Sequence, residues 1–393
     1  MSGRADRDAR DRFRRFGIER NVRSAGWLDL RLRRLVRLLR EIHTEARSRT
    51  GIPWRRRLRA WRKGFRSRHA ALYGVDDGDD RGYVPDFPYA WRNYAMNGFW
   101  NPIVGNKLVI SQILAARGIP HPRVFGVVSH GRPLALAGGS ADAGMATLRD
   151  WTADARPVVF RPHWSGGGEG VFFLRRQDDA WFVNGRDAST ADVAGLIGGL
   201  DRYIATAFVD QAAYARAIHP PSTNTLRVLT LVDGDGPFVA SVVHRFGTSR
   251  SFPVDNFHQG RGGVCAAVDA ATETLGAAVS LDRHNRRASH AVHPETGSPI
   301  AGVAIPGLKE ALDGVLAAAG CFPEATCVGW DLLMTDDGYS ILEANSPPGI
   351  VVSQAHAPLL ANPRVAAYFA GYGFAVPPRG TTRSERAAAA PSS

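Results

Sequence analysis

The sequence predicts a mixed α/β (α+β) chain preceded by a basic helical arm. Three observations carry this. Segments with helical spacing of apolar residues alternate with short β-branched runs bounded by Gly, Pro, Asn and Asp. The 393 residues, 44% hydrophobic, suffice for two or three subdomains around a sizeable core. The charge is lopsided: residues 1–70 hold 22 Arg and one Lys against seven Asp or Glu, a net of +16, so the total of +12 leaves −4 on the remainder.

Taken in order, residues 1–25 are charged, lack an apolar signal core and are expected to be poorly ordered. Leu28, Leu32, Leu35, Leu39 and Ile42 then recur at spacings of 4, 3, 4 and 3, one face of a helix, with Arg31, Arg34, Arg37 and Arg40 mostly off it. A second stripe is Trp54, Leu58, Trp61 and Phe65, opened by Pro53. Two readings stand: helices docked on the body with solvated arginines, or an arm that meets an anionic surface such as membrane headgroups or acidic polymer. The tryptophans of the arm have helical-core spacing, which argues against nucleic acid as partner.

"GNKLVISQILAARGIPHPRVFGVV" predicts a helix capped by Asn106 and ended by Gly118, then a strand over Val124–Val128. "VVFRPHWSGGGEGVFFLRR" reads as strand, loop, strand, with a second helix over 187–200. "RVLTLVDG" and "FVASVVHRF" are two strands turned at Asp233-Gly234-Asp235-Gly236. A helix over 306–319 precedes a hairpin, "TCVGWDLLMTDDGYSILEANS", and after about Pro377 the chain is a Pro-, Arg-, Ser- and Ala-rich tail. The expected organisation is an arm over 1–70, an N-terminal α/β subdomain over 71–155, a core over 156–365 and a disordered tail over 378–393.

Three cysteines without a Cys-x-x-Cys pair give neither a disulfide framework nor a zinc site. With no run of about 18 apolar residues, the expected location is cytoplasmic, with peripheral membrane contact open through the arm. Lysine is scarce, three against 46 arginines, which makes Lys107 conspicuous.

Two motifs carry chemistry. The loop after Arg161 has about nine residues and four glycines (Gly166, Gly167, Gly168 and Gly170), more than a hairpin needs. Backbone N–H groups approaching a phosphate chain would account for the excess. In the last hairpin, pairing Thr335 with Tyr339 across Asp336-Asp337-Gly338 sets Asp331 opposite Glu343, with Asn345 on the same face. Like charges so placed destabilise a sheet unless a cation intervenes, and oxygen-only ligands suit Mg2+ or Mn2+. Between the two motifs, Arg227 in "STNTLRVLTL" is a cation in a β-branched run, a candidate anion clamp.

In this order and spacing the motifs resemble the sugar-transfer associated ATP-grasp family, from about Trp61 to Leu360. The resemblance rests on "WRKGF", "NKL", the glycine loop, "NTLRVLTL", "VDNFHQGRGG", "HPETGSPI", "GWDLLMT" and "LEANSPPG". It implies an ATP-grasp fold, two α+β subdomains clasping ATP. It further implies that Lys107 and Arg161 contact the phosphates and that Gly166, Gly167 and Gly168 form a lid. Phe208 and Val209 in "ATAFVDQ" would read adenine by backbone groups, with Asp210 near the ribose. Arg227 would face the transferring phosphate, Asp331, Glu343 and Asn345 would hold magnesium, and Asp255 and Asn256 would approach the acceptor. Arg161 stands where the superfamily usually has lysine, and Ala207 does not match its hinge acid. The implied reaction is ligation of a carboxylate to an amine through an acyl phosphate, on a glycan or exopolysaccharide precursor or a specialised metabolite. The alternatives are a phosphotransferase acting on a sugar and a nucleotide-binding regulator.

Overall fold

The computed structural model describes residues 27–48, 50–75, 78–136, 144–164, 170–251, 255, 257, 262–282 and 284–374. The expectations for residues 1–25, for the tail, for Gly166, Gly167 and Gly168, and for Asn256 fall outside the described residues.

Among the described residues the strands form two seven-stranded sheets, and neighbouring strands pair antiparallel throughout. The first contains β1 (Val124–Ser129), β2 (Arg132–Ala135), β3 (Val158–Pro162), β4 (Phe172–Gln177), β5 (Ala180–Val183), β6 (Arg186–Ala188) and β7 (Tyr203–Ala207), in the order β2-β1-β7-β3-β4-β5-β6. The boundary expected at 155/156 therefore runs through this sheet, because β1 pairs with β7. Helices α7 (Met145–Trp151) and α8 (Thr190–Gly198) bury Leu148, Trp151, Val193 and Ile197 against Val158, Phe160, Leu174 and Trp181. With Val158 and Phe160 turned to that core, the two-residue alternation puts Val159 and Arg161 on the other face.

The second sheet holds β8 (Leu226–Asp233), β9 (Gly236–Phe246), β10 (Val264–Asp269), β11 (Thr274–Leu281), β12 (Arg287–His290), β13 (Cys327–Thr335) and β14 (Gly338–Asn345), in the order β12-β11-β10-β9-β8-β13-β14. One face packs Leu226, Val228, Trp330 and Leu332 on α10 (Leu308–Gly320). On the other, Leu229, Leu231 and Cys327 meet α11 (Pro363–Ala370) and α4 (Asp86–Asn97). Arg227 and Asp331 lie on this second face by alternation. Short helices α5 (Asn101–Val104) and α9 (Ala213–Ile218) connect the parts. Helix α6 (Lys107–Ala116) starts as the sequence predicts: the Asn106 side chain accepts from the backbone N–H of Leu108 and Val109.

The arm comprises α1 (Trp27–Arg47), α2 (Trp54–Arg62) and α3 (Ser67–Tyr73). It is fixed through α3, whose Ala70, Leu72 and Tyr73 pack with Phe65, Val279 and Ala355. Glu45 is buried and accepts from Ser67 N–H and from Trp61 Nε1, each at 3.1 Å. The apolar stripe of α1 is not the docked side: Leu32, Leu35, Leu39 and Ile42 are all exposed, and only Phe65 of the second stripe is buried. That reverses the reading in which these faces dock and the arginines alone meet solvent. The side chain of Leu28 lies outside the described residues.

Candidate active site

The β13–β14 hairpin reaches the expected pairing by an unexpected route. Its turn is Asp336–Asp337, so Thr335 pairs with Gly338 and Met334 with Tyr339, one residue away from the predicted register. A β-bulge then corrects it: Leu332 faces Ile341, but Asp331 faces Glu343 and Gly329 faces Asn345. Leu342 is the extra residue. A bulge re-aims backbone groups, and here the Leu342 carbonyl accepts from Arg161 Nη1 at 3.0 Å. An irregularity in the second sheet thus holds a cation from the first.

The carboxylates are neutralised from several sides. Lys107, the first residue of α6, is buried with Nζ 3.1 Å from Glu343 Oε2. Arg227 grips Asp331 with two nitrogens, Nε to Oδ1 at 2.6 Å and Nη2 to Oδ2 at 3.1 Å. Arg245, on β9, lies 3.2 Å from Asp331 and 3.4 Å from Asp255. Asp255 also accepts from the backbone N–H and the hydroxyl of Thr225. Asn345 Nδ2 spans the two carboxylates, 3.3 Å from Asp331 and 3.4 Å from Glu343. The group holds Lys107, Arg161, Arg227 and Arg245 against Asp255, Asp331 and Glu343, four positive less three negative, a net of +1.

Burial and charge compete at each member. Burial pushes the Glu343 carboxyl up, but Lys107, Arg161 and Arg227 together hold it well below the usual range. At Asp255 burial prevails and raises it against Arg245 and Thr225. Burial lowers Arg161, with Glu343 opposing. Arg161 is the least satisfied cation: its Nε and Nη2 are both buried without a hydrogen-bond partner, against Nε alone at Arg227 and at Arg245. Stranding a buried donor costs about 1–3 kcal/mol, more for a charged group. A ligand supplying anionic oxygens would relieve that cost.

The same face of the first sheet leads to a pocket of about 770 Å3, lined among others by Phe173, Val183, Asn184, Phe208, Val209 and Asp210. The Phe173 and Phe208 rings meet edge to face with centroids 5.9 Å apart. Phe173 pairs with Val159, two residues from Arg161 on the same face, or about 7 Å along the strand. A flat heterocycle by the phenylalanines and a phosphate chain running to Arg161 and Lys107 fit this spacing. The Asp210 side chain is exposed and paired with Arg156.

Asp331, Glu343 and Asn345 offer two carboxylates and a carboxamide on one patch, an oxygen-only set that fits Mg2+ or Mn2+. Asp331 Oδ1 makes no hydrogen bond of normal geometry, but Arg227 Nε at 2.6 Å and Arg245 Nη2 at 3.2 Å face it as ion-pair partners, so a cation bound here would share it with two arginines. Among the described residues no group of three or more His, Cys, Asp or Glu could hold a metal ion, so a cation at this patch would depend on the Asn345 carboxamide beside the two carboxylates. The geometry gathers Lys107, Arg161, Arg227, Asp331, Glu343 and Asn345 in one network and Phe208, Val209 and Asp210 in the adjoining pocket. Asp255 does not open toward an acceptor: it is buried and turned to Arg245 and Thr225. Sequence reasoning missed Arg245, Thr225, the Leu342 carbonyl and Phe173. Arg245 did leave a signal, being, like Arg227, a lone cation in a β-branched strand.

At this network the two halves are also stitched by backbone. Lys107 N–H donates to the His163 carbonyl just past β3 (3.1 Å), and Trp164 Nε1 donates to the Pro102 carbonyl (3.1 Å).

The sequence pattern of the family described as sugar-transfer associated ATP-grasp matches residues 93–364, more than half of the chain. No curated protein matches. Solved structures that the chain resembles include the ADP complex of PurK, an N5-carboxyaminoimidazole ribonucleotide synthetase (13% identity, 63% of this chain and 46% of that one, TM-score 0.36). Another is D-alanine–D-alanine ligase from Bacillus anthracis complexed with ATP (10%, 72% and 63%, TM-score 0.36). A third is the VanG D-Ala:D-Ser ligase from Enterococcus faecalis (10%, 77% and 69%, TM-score 0.39). The chain spans about half the length of the first of these relatives. Likeness at this level carries no argument about substrate.

Proposed function

The chain belongs to the sugar-transfer associated ATP-grasp family, and from that premise we propose that it is an ATP- and Mg2+-dependent carboxylate–amine ligase. Its acid substrate, on this reading, is a glycan or exopolysaccharide precursor or a specialised metabolite. ATP-grasp enzymes as a class are ATP-dependent carboxylate–amine ligases. The observation that carries the reading is Arg161, a buried guanidinium with two unpartnered nitrogens beside the Lys107–Glu343 ion pair.

The chemistry runs in two displacements. A substrate carboxylate oxygen attacks the γ-phosphorus, the bond to the β-bridging oxygen breaks, and ADP leaves an acyl phosphate. The amine lone pair then attacks the acyl carbon, the C–O bond to phosphate breaks, and the nitrogen loses a proton as the amide forms. Lys107 and Arg161 orient the phosphates and stabilise their charge, while Arg227, held by Asp331, faces the transferring group. Arg245 and Asp255 act from behind, keeping Asp331 and Arg227 in place. Phe173, Phe208 and the backbone at Val209 seat the base. Asp331, Glu343 and Asn345 would hold magnesium, which when bound would supply charge neutralisation on phosphate oxygens. No protein nucleophile is required.

A screen of amino acids, uronic acids and polyamines for coupled release of ADP and phosphate tests the proposal. Release that needs both an acid and an amine supports it. ADP with the phosphate retained on the acceptor indicates a phosphotransferase instead, and nucleotide binding without ADP formation indicates a regulator.

A further inference from the structure

The arm is built the wrong way round for an ordinary surface helix. On α1, Leu32, Leu35, Val36, Leu39 and Ile42 are 43–60% exposed. At 100° per residue they fill one arc of about 120°. The side turned to the body carries Leu38, Glu41 and Glu45, with Glu45 buried. Helix α2 adds an exposed Trp54 (67%) and part-exposed Leu58 and Trp61. Charge surrounds this apolar surface. Residues 27–62 carry 12 Arg against three Asp or Glu, a net of +9, and Arg40, Arg47, Arg55, Arg59 and Arg62 are exposed.

We propose that α1 and α2 dock the protein on an anionic lipid bilayer, lying in its plane with the leucine arc and Trp54 among the acyl chains. Lipid headgroups and acyl chains answer both features at once: the aliphatic arc leaves water and the arginines meet phosphates. A second copy would cover the leucines but bring +9 against +9. A nucleic acid would match the arginines but leave five aliphatic side chains wet. No helix among the described residues is long and apolar enough to cross a membrane, so α1, 21 residues and about 31 Å long, lies in the interface and does not span it. The inference is independent of the ligase reading, since none of these residues belongs to the site.

The test is co-sedimentation of the full chain with phosphatidylcholine vesicles, with and without about one quarter phosphatidylglycerol. The expected result is binding to the anionic vesicles that weakens as salt rises, and at least tenfold weaker binding to the neutral ones. Leu35→Ser with Leu39→Ser should lower binding at least tenfold at every salt concentration. Arg40→Ser with Arg55→Ser and Arg62→Ser should lower it mainly at low salt. All five positions are exposed, so the variants should keep the wild-type melting temperature. A wild-type chain that stays in the supernatant with anionic vesicles at low salt overturns the proposal. So does equal binding of the leucine variant, or a wild-type dimer that the leucine variant converts to monomer while vesicles are ignored.

Discussion

Arg161 and Arg227 are both strand arginines at the meeting of the two sheets, the first buried and the second half-buried, yet they are finished differently. Arg227, on the second sheet, is paired in charge: two of its nitrogens face Asp331, Nη2 in a hydrogen bond and Nε as an ion-pair contact, and Arg245 and Asp255 extend the network. Arg161, on the first sheet, holds one backbone carbonyl and strands two nitrogens. The second sheet presents charges already paired with one another, whereas the first presents a cation with two nitrogens still to be partnered. A preorganised half costs no reorganisation during reaction, and an incomplete half couples binding energy to the closed arrangement.

The sharpest way to break this contrast is to remove each cation in turn. Arg227→Met leaves Asp331 buried with only Arg245 beside it, and should cost about 3–5 kcal/mol of stability, read as a lower urea midpoint with unchanged slope. Arg161→Met removes a charge that burial already disfavours. It should leave the urea midpoint unchanged or raised while ADP formation falls roughly 10²–10³-fold. Equal destabilisation by both substitutions would falsify the contrast.

Acid should tell on the second sheet next. His244, fully buried beside Arg245, is pushed down by burial to about 3. It is neutral when folded, while the unfolded chain takes up its proton below the ordinary 6.5. Stability is therefore full above pH 6.5 and is lost as pH falls toward 3, by about 2 kcal/mol at pH 5. His219 and His356 are also lowered by burial and push the same way. Melting temperatures between pH 7 and 5 should show this slope, and His244→Gln should flatten it. The smallest effect belongs to the base pocket. Phe173→Ala should weaken nucleotide affinity about tenfold, within the range for losing one stacking ring, with the phosphate-dependent part of binding intact by titration with pyrophosphate. Weakened pyrophosphate binding would mean that the pocket and the cations are not separable halves.

Local signals made much of this legible. The Asn106 cap and the Asp233–Gly236 turn follow from spacing and turn chemistry within a few residues, whereas the facing of Asp331 and Glu343 is reached from a turn register one residue off. The bulge at Leu342 was not legible, because the register it restores depends on β8 and α6 packing around the hairpin. The pairing of Lys107 with Glu343 joins residues far apart in the chain, and no pattern in either segment names the other. The α1 stripe shows the limit of periodicity. Spacing finds the apolar face, but the direction in which that face points depends on later segments: Glu45 bonds Ser67 and Trp61, and α1 packs along α4.

The stitches between the halves bear on time more than on equilibrium. Lys107 N–H to His163, Trp164 to Pro102 and Arg161 to Leu342 all bridge the two sides of the site. A ligand too large to slip past them must wait for all three to part, and the same three close behind it. What is broken on entry is remade afterwards, so these bonds largely cancel from the affinity. They slow arrival and departure alike, so under the proposed ligase reading an intermediate formed inside would have a long residence in which to meet its second substrate.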